Sequence, residues 1–188
     1  MKWFIFLSAS TLFVNCNIIN PERIQPESII PDTPVNLLKV LEHAYNSRDE
    51  LQYQSILDND FIFYANVEFI AEPDILDFEY TIDDRGNRVY FWSRDEEIER
   101  HKKMFEQING ASSIKLTFPT IRDEDWEDCL LSDSTWGKCS NIGDIHLELT
   151  YQSVKYKVEG GKALFKIRKN PDNGLWLISE WYDLGTEL

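Results

Sequence analysis

The sequence predicts an α+β domain in which about three helices come first and a long antiparallel sheet with one covered face follows. Three observations carry that prediction. Apolar residues recur at a helical period from Leu37 to Tyr45 and again after Ser93. Beyond Gly110 the period falls from about 3.6 to about 2. Asn170-Pro171-Asp172-Asn173-Gly174 then supplies hairpin-turn chemistry ahead of a final apolar strand.

The elements follow in chain order. From Val35, residues Leu37, Leu38, Leu41, Ala44 and Tyr45 form one apolar helix face. A second short helix opens at Asp49, with Leu51, Ile56 and Leu57 inward. Asp60-Phe61-Ile62-Phe63-Tyr64 is β-rich and reads as the first strand. Residues 66–92 form an irregular acidic insert, with Glu72-Pro73-Asp74 in it and the turn group Asp83-Asp84-Arg85-Gly86-Asn87 leading to Val89-Tyr90-Phe91. Ser93 and Glu96 make a capping box, and Asp95, Glu96 and Glu97 sit where a helix dipole favours acids. Ile98, Phe105 and Ile108 give that helix a narrow buried stripe, and Asn109-Gly110 ends it.

The sheet comes next. Ile114, Leu116 and Phe118 alternate with polar residues, as do Ile145, Leu147, Leu149 and Tyr151. Ala163, Phe165 and Ile167 form the inner face of another strand, and Leu175 to Tyr182 form the last. Gly160-Gly161 reads as a bulge or bend rather than a phosphate loop. No internal repeat is present.

Length and composition bound the function. At 188 residues, 43% hydrophobic and 13% aromatic, the chain makes one domain with a substantial core, and residues 35–188 are assigned to it. The formal charge is −14, falling to about −15 once Lys2 leaves with a leader. Such a field repels phosphate backbones, and no basic stripe with interleaved aromatics offsets it, so nucleic-acid binding is excluded.

The N-terminus reads as a targeting signal over residues 1–16. Lys2 precedes the apolar run Trp3-Phe4-Ile5-Phe6-Leu7, and the segment ends Leu12-Phe13-Val14-Asn15-Cys16. The run is too short to span about 30 Å of hydrocarbon. The ending resembles a bacterial lipobox, with Asn15 and Phe13 where that pattern has a small residue and a leucine. The resemblance implies that Cys16 takes a diacylglycerol, with palmitate among the acyl chains, and becomes the mature N-terminus. Plain secretion and an uncleaved anchor are the alternatives. Residues 17–34, with Pro21, Pro26, Pro31 and Pro34, read as an extended tether reaching about 50 Å at about 3 Å per residue. A tail packed on the domain is the alternative, since Ile18-Ile19 and Ile29-Ile30 are apolar. Membrane contact is thus expected through the N-terminal lipid, in the cell envelope, periplasmic or at the surface.

Cys129 and Cys139, with nine residues between them, read as a disulfide in an oxidising compartment. Zinc is the rival, with a weak ligand set.

From Leu37 to about Leu184 the order of elements resembles the small bacterial members of the nuclear transport factor 2-like superfamily. The pieces that carry this are Leu37–Tyr45 followed by Asn46-Ser47-Arg48-Asp49, then Trp92-Ser93-Arg94-Asp95-Glu96-Glu97-Ile98, and Gly174-Leu175-Trp176-Leu177-Ile178 in the last strand. The resemblance implies a cone: a curved antiparallel sheet wrapped over about three N-terminal helices, with a pocket in its mouth. Tyr45, Phe61, Phe63, Trp92, His101, Phe105, Trp176 and Trp181 are the candidates to line that pocket, or to fill it as core. The superfamily holds isomerases and cyclases beside non-catalytic binding domains, so fold leaves function open.

Chemistry is less legible. Enzymatic members use a carboxylate or His base inside the cone. His146 lies on a polar strand face and His43 off the helix stripe. His101 flanks a stripe and reads as a helix-edge histidine before a catalytic one. Asp60, Tyr64 and Asp183 are a conceivable acid–base set with nothing in their spacing to select them. Arg122 to Asp128 packs five carboxylates into seven residues, but without a calcium-loop glycine it reads as a solvated loop. No G-x-S-x-G, metal set or cofactor motif is present. The reading is a lipid-tethered domain that binds a small apolar ligand or a protein partner without catalysis. An isomerase- or cyclase-like enzyme and a structural, dimerising module are the alternatives.

Overall fold

The computed structural model describes residues 29–65, 79–82, 88–106 and 110–186. The leader with Cys16, the tether up to residue 28 and most of the acidic insert lie outside the described residues.

Helix α1 spans Pro34–Ser47, with the Thr33 hydroxyl accepting the Asn36 N–H at 3.1 Å and proline at the first helical position. It buries Leu37, Leu38, Val40, Leu41, Ala44 and Tyr45 and stops at Arg48, whose left-handed φ of 55° turns its N–H back onto Ala44 and Tyr45 carbonyls. Asn46 fixes the helix to the sheet: its amide accepts the Leu116 N–H at 2.7 Å and donates to the Leu116 carbonyl at 3.0 Å. Helix α2, Glu50–Ser55, buries Tyr53, whereas Leu51 is 78% exposed, which reverses the inward placement predicted for it. On so short a helix one face alone meets the core, and the aromatic takes it over the aliphatic.

Strand β1 is Leu57–Ala65, and a hairpin of β2 (Glu79–Ile82) and β3 (Arg88–Ser93) follows. Helix α3 is Arg94–Phe105. The Glu96 carboxylate accepts from both the N–H and the hydroxyl of Ser93 at 2.9 Å, the reciprocal half of the predicted capping box. The helix stops before the predicted Asn109-Gly110 terminus, with Glu106 as its last cap. Strands β4 (Ser113–Thr117), β5 (Glu127–Leu130), β6 (Trp136–Tyr151), β7 (Val154–Lys169) and β8 (Trp176–Thr186) complete the chain.

The strands form one sheet in the order β2-β3-β1-β8-β7-β6-β4, with β5 beside the other half of the β6 edge. The sheet is mixed, since β1 and β8 run parallel. This departs from the wholly antiparallel sheet the sequence predicts, because alternation of side chains reports which face a residue takes, not the direction of a neighbour from the far end of the chain. Register breaks in β6 around Ile145 and in β7 after Lys162 interrupt the ladder beside Gly160, whose φ is +66°. These are the bulges predicted at Gly160-Gly161, and they bend the sheet over the helices. The core lies between: Leu37, Leu41 and Ala44 meet Phe165, Ile167 and Ile178 with essentially no exposure. Each such side chain contributes about 1.5–3 kcal/mol. The first residues described pack on the domain through Pro31, whose carbonyl accepts the Trp176 N–H at 2.8 Å.

Candidate functional site

Helix α3 turns an unexpected face to the interior. Glu97, His101 and Phe105, spaced i, i+4 and i+8, are its buried residues, while Ile98 is half-buried. Glu97 is 1% exposed. A carboxylate removed from water costs several kcal/mol unless donors replace the water. Here the Tyr53 hydroxyl donates to Oε1 at 2.6 Å, the Trp92 indole N–H to Oε2 at 2.5 Å, and His101 Nδ1 lies 3.2 Å from Oε1. The Glu97 backbone carbonyl is also 3.1 Å from that nitrogen. With two acceptors facing it, Nδ1 carries the proton, and Nε2 is left to accept the Tyr45 hydroxyl. Burial first, and the Glu97 charge second, hold the hydroxyls of Tyr45 and Tyr53 well above the ordinary phenol range, so both remain donors. Tyr53 stacks on the imidazole at 4.1 Å, and Tyr45 meets it edge-on at 5.1 Å.

This network forms one wall of a cavity of about 320 Å³ between helices and sheet. Phe63 stacked on Trp92 at 4.5 Å, with Trp181 5.3 Å from Phe63, makes the aromatic side. Leu116, Ile145, Leu147 and Val158 make the aliphatic side. Asp183, on β8, also lines the cavity, with Arg100 and Lys162. One carboxyl oxygen accepts the Gly185 N–H at 2.9 Å, and burial raises its pKa above the usual aspartate value. Gly161 keeps the bulged wall open, because a Cβ there would lie 3.2 Å from the Ile145 carbonyl and from Val158.

Five of the predicted lining residues, Tyr45, Phe63, Trp92, His101 and Trp181, reach this cavity. Three do not. Phe61 is buried in the core, and Phe105 sits behind Tyr45 and His101 at 5.6 and 5.5 Å. Trp176 lies in a separate cleft under Lys169 and beside the exposed Trp136. An aromatic count cannot tell these apart, since a core side chain and a cavity-lining one both point inward. His101 is not a helix-edge residue but buried, because α3 is rotated so that Glu97, not Ile98, points inward. His43 is half-buried and 2.6 Å from the Gln52 side-chain oxygen, while His146 faces Asp144 on the outer surface at 3.2 Å. Of the conceivable acid–base set, Asp183 alone comes to the cavity. Asp60 pairs with Arg168 at 3.2 Å, and Tyr64 stacks on Tyr182 at 4.1 Å, on the opposite sheet face.

Cys129 and Cys139 are bonded across β5 and β6, Cα atoms 5.9 Å apart, so the rival zinc reading loses its sulfurs. Four carboxylates of the acidic loop have partners within the protein: Asp123 accepts the Val35 N–H at 3.2 Å, Glu124 and Asp125 pair with Arg122 at 3.4 and 3.6 Å, and Asp128 pairs with Lys138 at 3.1 Å.

No family model matches the sequence, and no curated protein matches it. Solved structures do match. An NTF2-like superfamily protein from Salmonella enterica serovar Typhimurium aligns over 81% of this chain and 87% of its own, at 11% identity and a TM-score of 0.51. An NTF2-like protein of unknown function in nutrient uptake from Rhodospirillum rubrum aligns over 82% and 98%, at 11% identity and a TM-score of 0.50. The chain has the nuclear transport factor 2-like fold. A putative aromatic ring hydroxylase from Novosphingobium aromaticivorans aligns over 82% of this chain and 87% of its own, at 10% identity and a TM-score of 0.52. At such identities the likeness concerns the fold alone.

Proposed function

We propose that this protein is a lipid-anchored envelope domain whose cone binds one small, largely apolar molecule. The observation that carries the reading is the cavity itself: about 320 Å³, at the small end of ligand pockets, walled mostly by aromatic and aliphatic side chains with a few charged ones among them. The polar groups of its helix-side wall are already mated, Tyr45 to His101 and Tyr53, Trp92 and His101 to Glu97. Arg100 and Lys162 add charged groups to the lining, and Asp183, with one oxygen on the Gly185 N–H, offers its second oxygen to orient a ligand. Support for the anchor is in the sequence, Lys2, the apolar run and Cys16, and the Cys129–Cys139 disulfide suits an exported chain. Native mass spectrometry of the exported chain tests binding. A retained small-molecule mass, lost when Leu147→Trp fills the cavity, is expected; bare protein in both forms overturns it.

One observation favours a second reading, an isomerase- or cyclase-like enzyme. Asp183 is a carboxyl with a pKa raised by burial, in the same cavity as an oriented Glu97–His101 pair, which is how an acid–base group is tuned. Turnover of the retained molecule, abolished in Asp183→Asn while binding persists, would establish it.

A further inference from the structure

The wall of the cavity does not end at its mouth. Beyond Ile145 and Gly161, strands β6 and β7 continue together as a hairpin closed at Gln152 and Ser153, both with left-handed φ. Its cross-strand pairs sort cleanly by face. Leu147 faces Val158, Leu149 faces Tyr156, and Tyr151 faces Val154; the intervening pairs are Glu148 with Lys157 and Thr150 with Lys155. Opposed residues share a face, so one side of the hairpin is uncharged and the other carries its ion pairs, Lys155–Glu148 at 2.9 Å among them. Leu147 and Val158, the first rung, line the cavity. The outer rungs are open: Val154 is 51% and Tyr156 53% exposed.

An uncharged strip that begins inside a cavity and runs about 13 Å beyond it, from Val158 to Val154, extends the same binding surface. β4 flanks β6 as far as the Ser113–Thr150 pair, but its Ile114 and Leu116 are buried, and β8 has no pairing with β7 past Gly161, so the open part of the strip, Tyr151, Val154 and Tyr156, is two strands wide, about 5 Å between backbones. That width matches an extended chain better than a helix about 10 Å across.

We propose that the ligand is an elongated amphiphile, its compact polar end in the cavity beside Asp183 and its uncharged apolar chain lying along Val158, Tyr156 and Val154. The proposal rests on the cavity being a ligand site and adds the chemical class that site would take.

The test is calorimetric titration of the full exported chain with 4-alkylphenols from methyl to dodecyl. A fully buried methylene is worth about fourfold in affinity, and one lying on a strip open on one side about twofold. The expected result is a Kd that falls about twofold with each methylene once the chain leaves the cavity. Val154→Ser combined with Tyr156→Ser should erase that dependence and leave 4-methylphenol binding within twofold. A Kd independent of chain length, with 4-methylphenol still bound, overturns the proposal while sparing the cavity. Failure of every phenol to bind overturns both. A wild-type dimer that the double variant dissociates, with the length dependence absent, overturns the proposal by assigning the strip to a second copy.

Discussion

Glu97 and His101 stand one turn apart on the same helix, and the carboxylate lies 3.2 Å from the imidazole Nδ1 inside the protein rather than on its surface. This pair joins two tyrosines and a tryptophan into one buried polar unit at the cavity wall.

Removing its acceptor should be costly. Glu97→Ala leaves the Tyr53 hydroxyl, the Trp92 indole and His101 Nδ1 without their carboxylate. We expect about 3–5 kcal/mol of lost stability. Glu97→Gln, which keeps one acceptor, should lose less. Urea denaturation followed by tryptophan fluorescence gives both values.

Asp183→Asn should stabilise the protein at pH 7. Burial raises the folded pKa of Asp183 above its unfolded value, so ionisation opposes folding. The penalty grows as pH rises from the unfolded value near 3.9 through the folded value, then stays constant. Asparagine never ionises, so wild type and variant should converge below about pH 4 and separate above it. Thermal melts across pH 3 to about 8 will show whether they do.

The outer sheet face should give the opposite sign. Asp58 is buried, accepts from Arg168 Nη2 at 2.8 Å and Ser179 at 2.9 Å, and has a lowered pKa. Glu180, bonded to Tyr182, Lys166 and the Ser132 N–H, is lowered as well. For both, hydrogen bonding outweighs the opposing effect of burial. Their stabilisation is present above the unfolded values, near 4, and disappears as pH falls through the folded ones. Acid unfolding of wild type should therefore steepen below about pH 4, and Arg168→Met, already lacking the Asp58 partner, should show a shallower acid limb.

Reduction of the disulfide should cost about 2–3 kcal/mol, the range for a loop this short. Cys129–Cys139 closes the β5–β6 hairpin, whose tip is held to the sheet by Asp133 on Arg168 at 2.5 Å and by Ser132 on Glu180 at 2.6 Å. Cys129→Ser with Cys139→Ser, compared with wild type by denaturation, measures it.

Period and turn chemistry were enough to place α1, the long strands and the Asn170–Gly174 turn, because burial of one face writes itself directly into residue spacing. Helix α3 shows where that logic runs out. Apolar spacing points Ile98 to the interior, yet the helix buries Glu97 and His101 instead. The spacing of Glu97, His101 and Phe105 was legible as a stripe one residue over. What reverses the choice is a set of partners from α1, α2 and β3, namely Tyr45, Tyr53 and Trp92, that no local pattern announces. Asp183 was visible as one acid among many, and only the strand that turns it toward the cavity singles it out. The parallel pairing of β1 with β8 was illegible for the same reason: it joins the two ends of the domain.

The central claim is that the cone holds a ligand, and native mass spectrometry of the exported chain beside its Leu147→Trp variant tests it most directly. One small-molecule mass per wild-type chain and none on the variant is expected, both being folded. A bare wild-type mass, or the same adduct on both proteins, would contradict it.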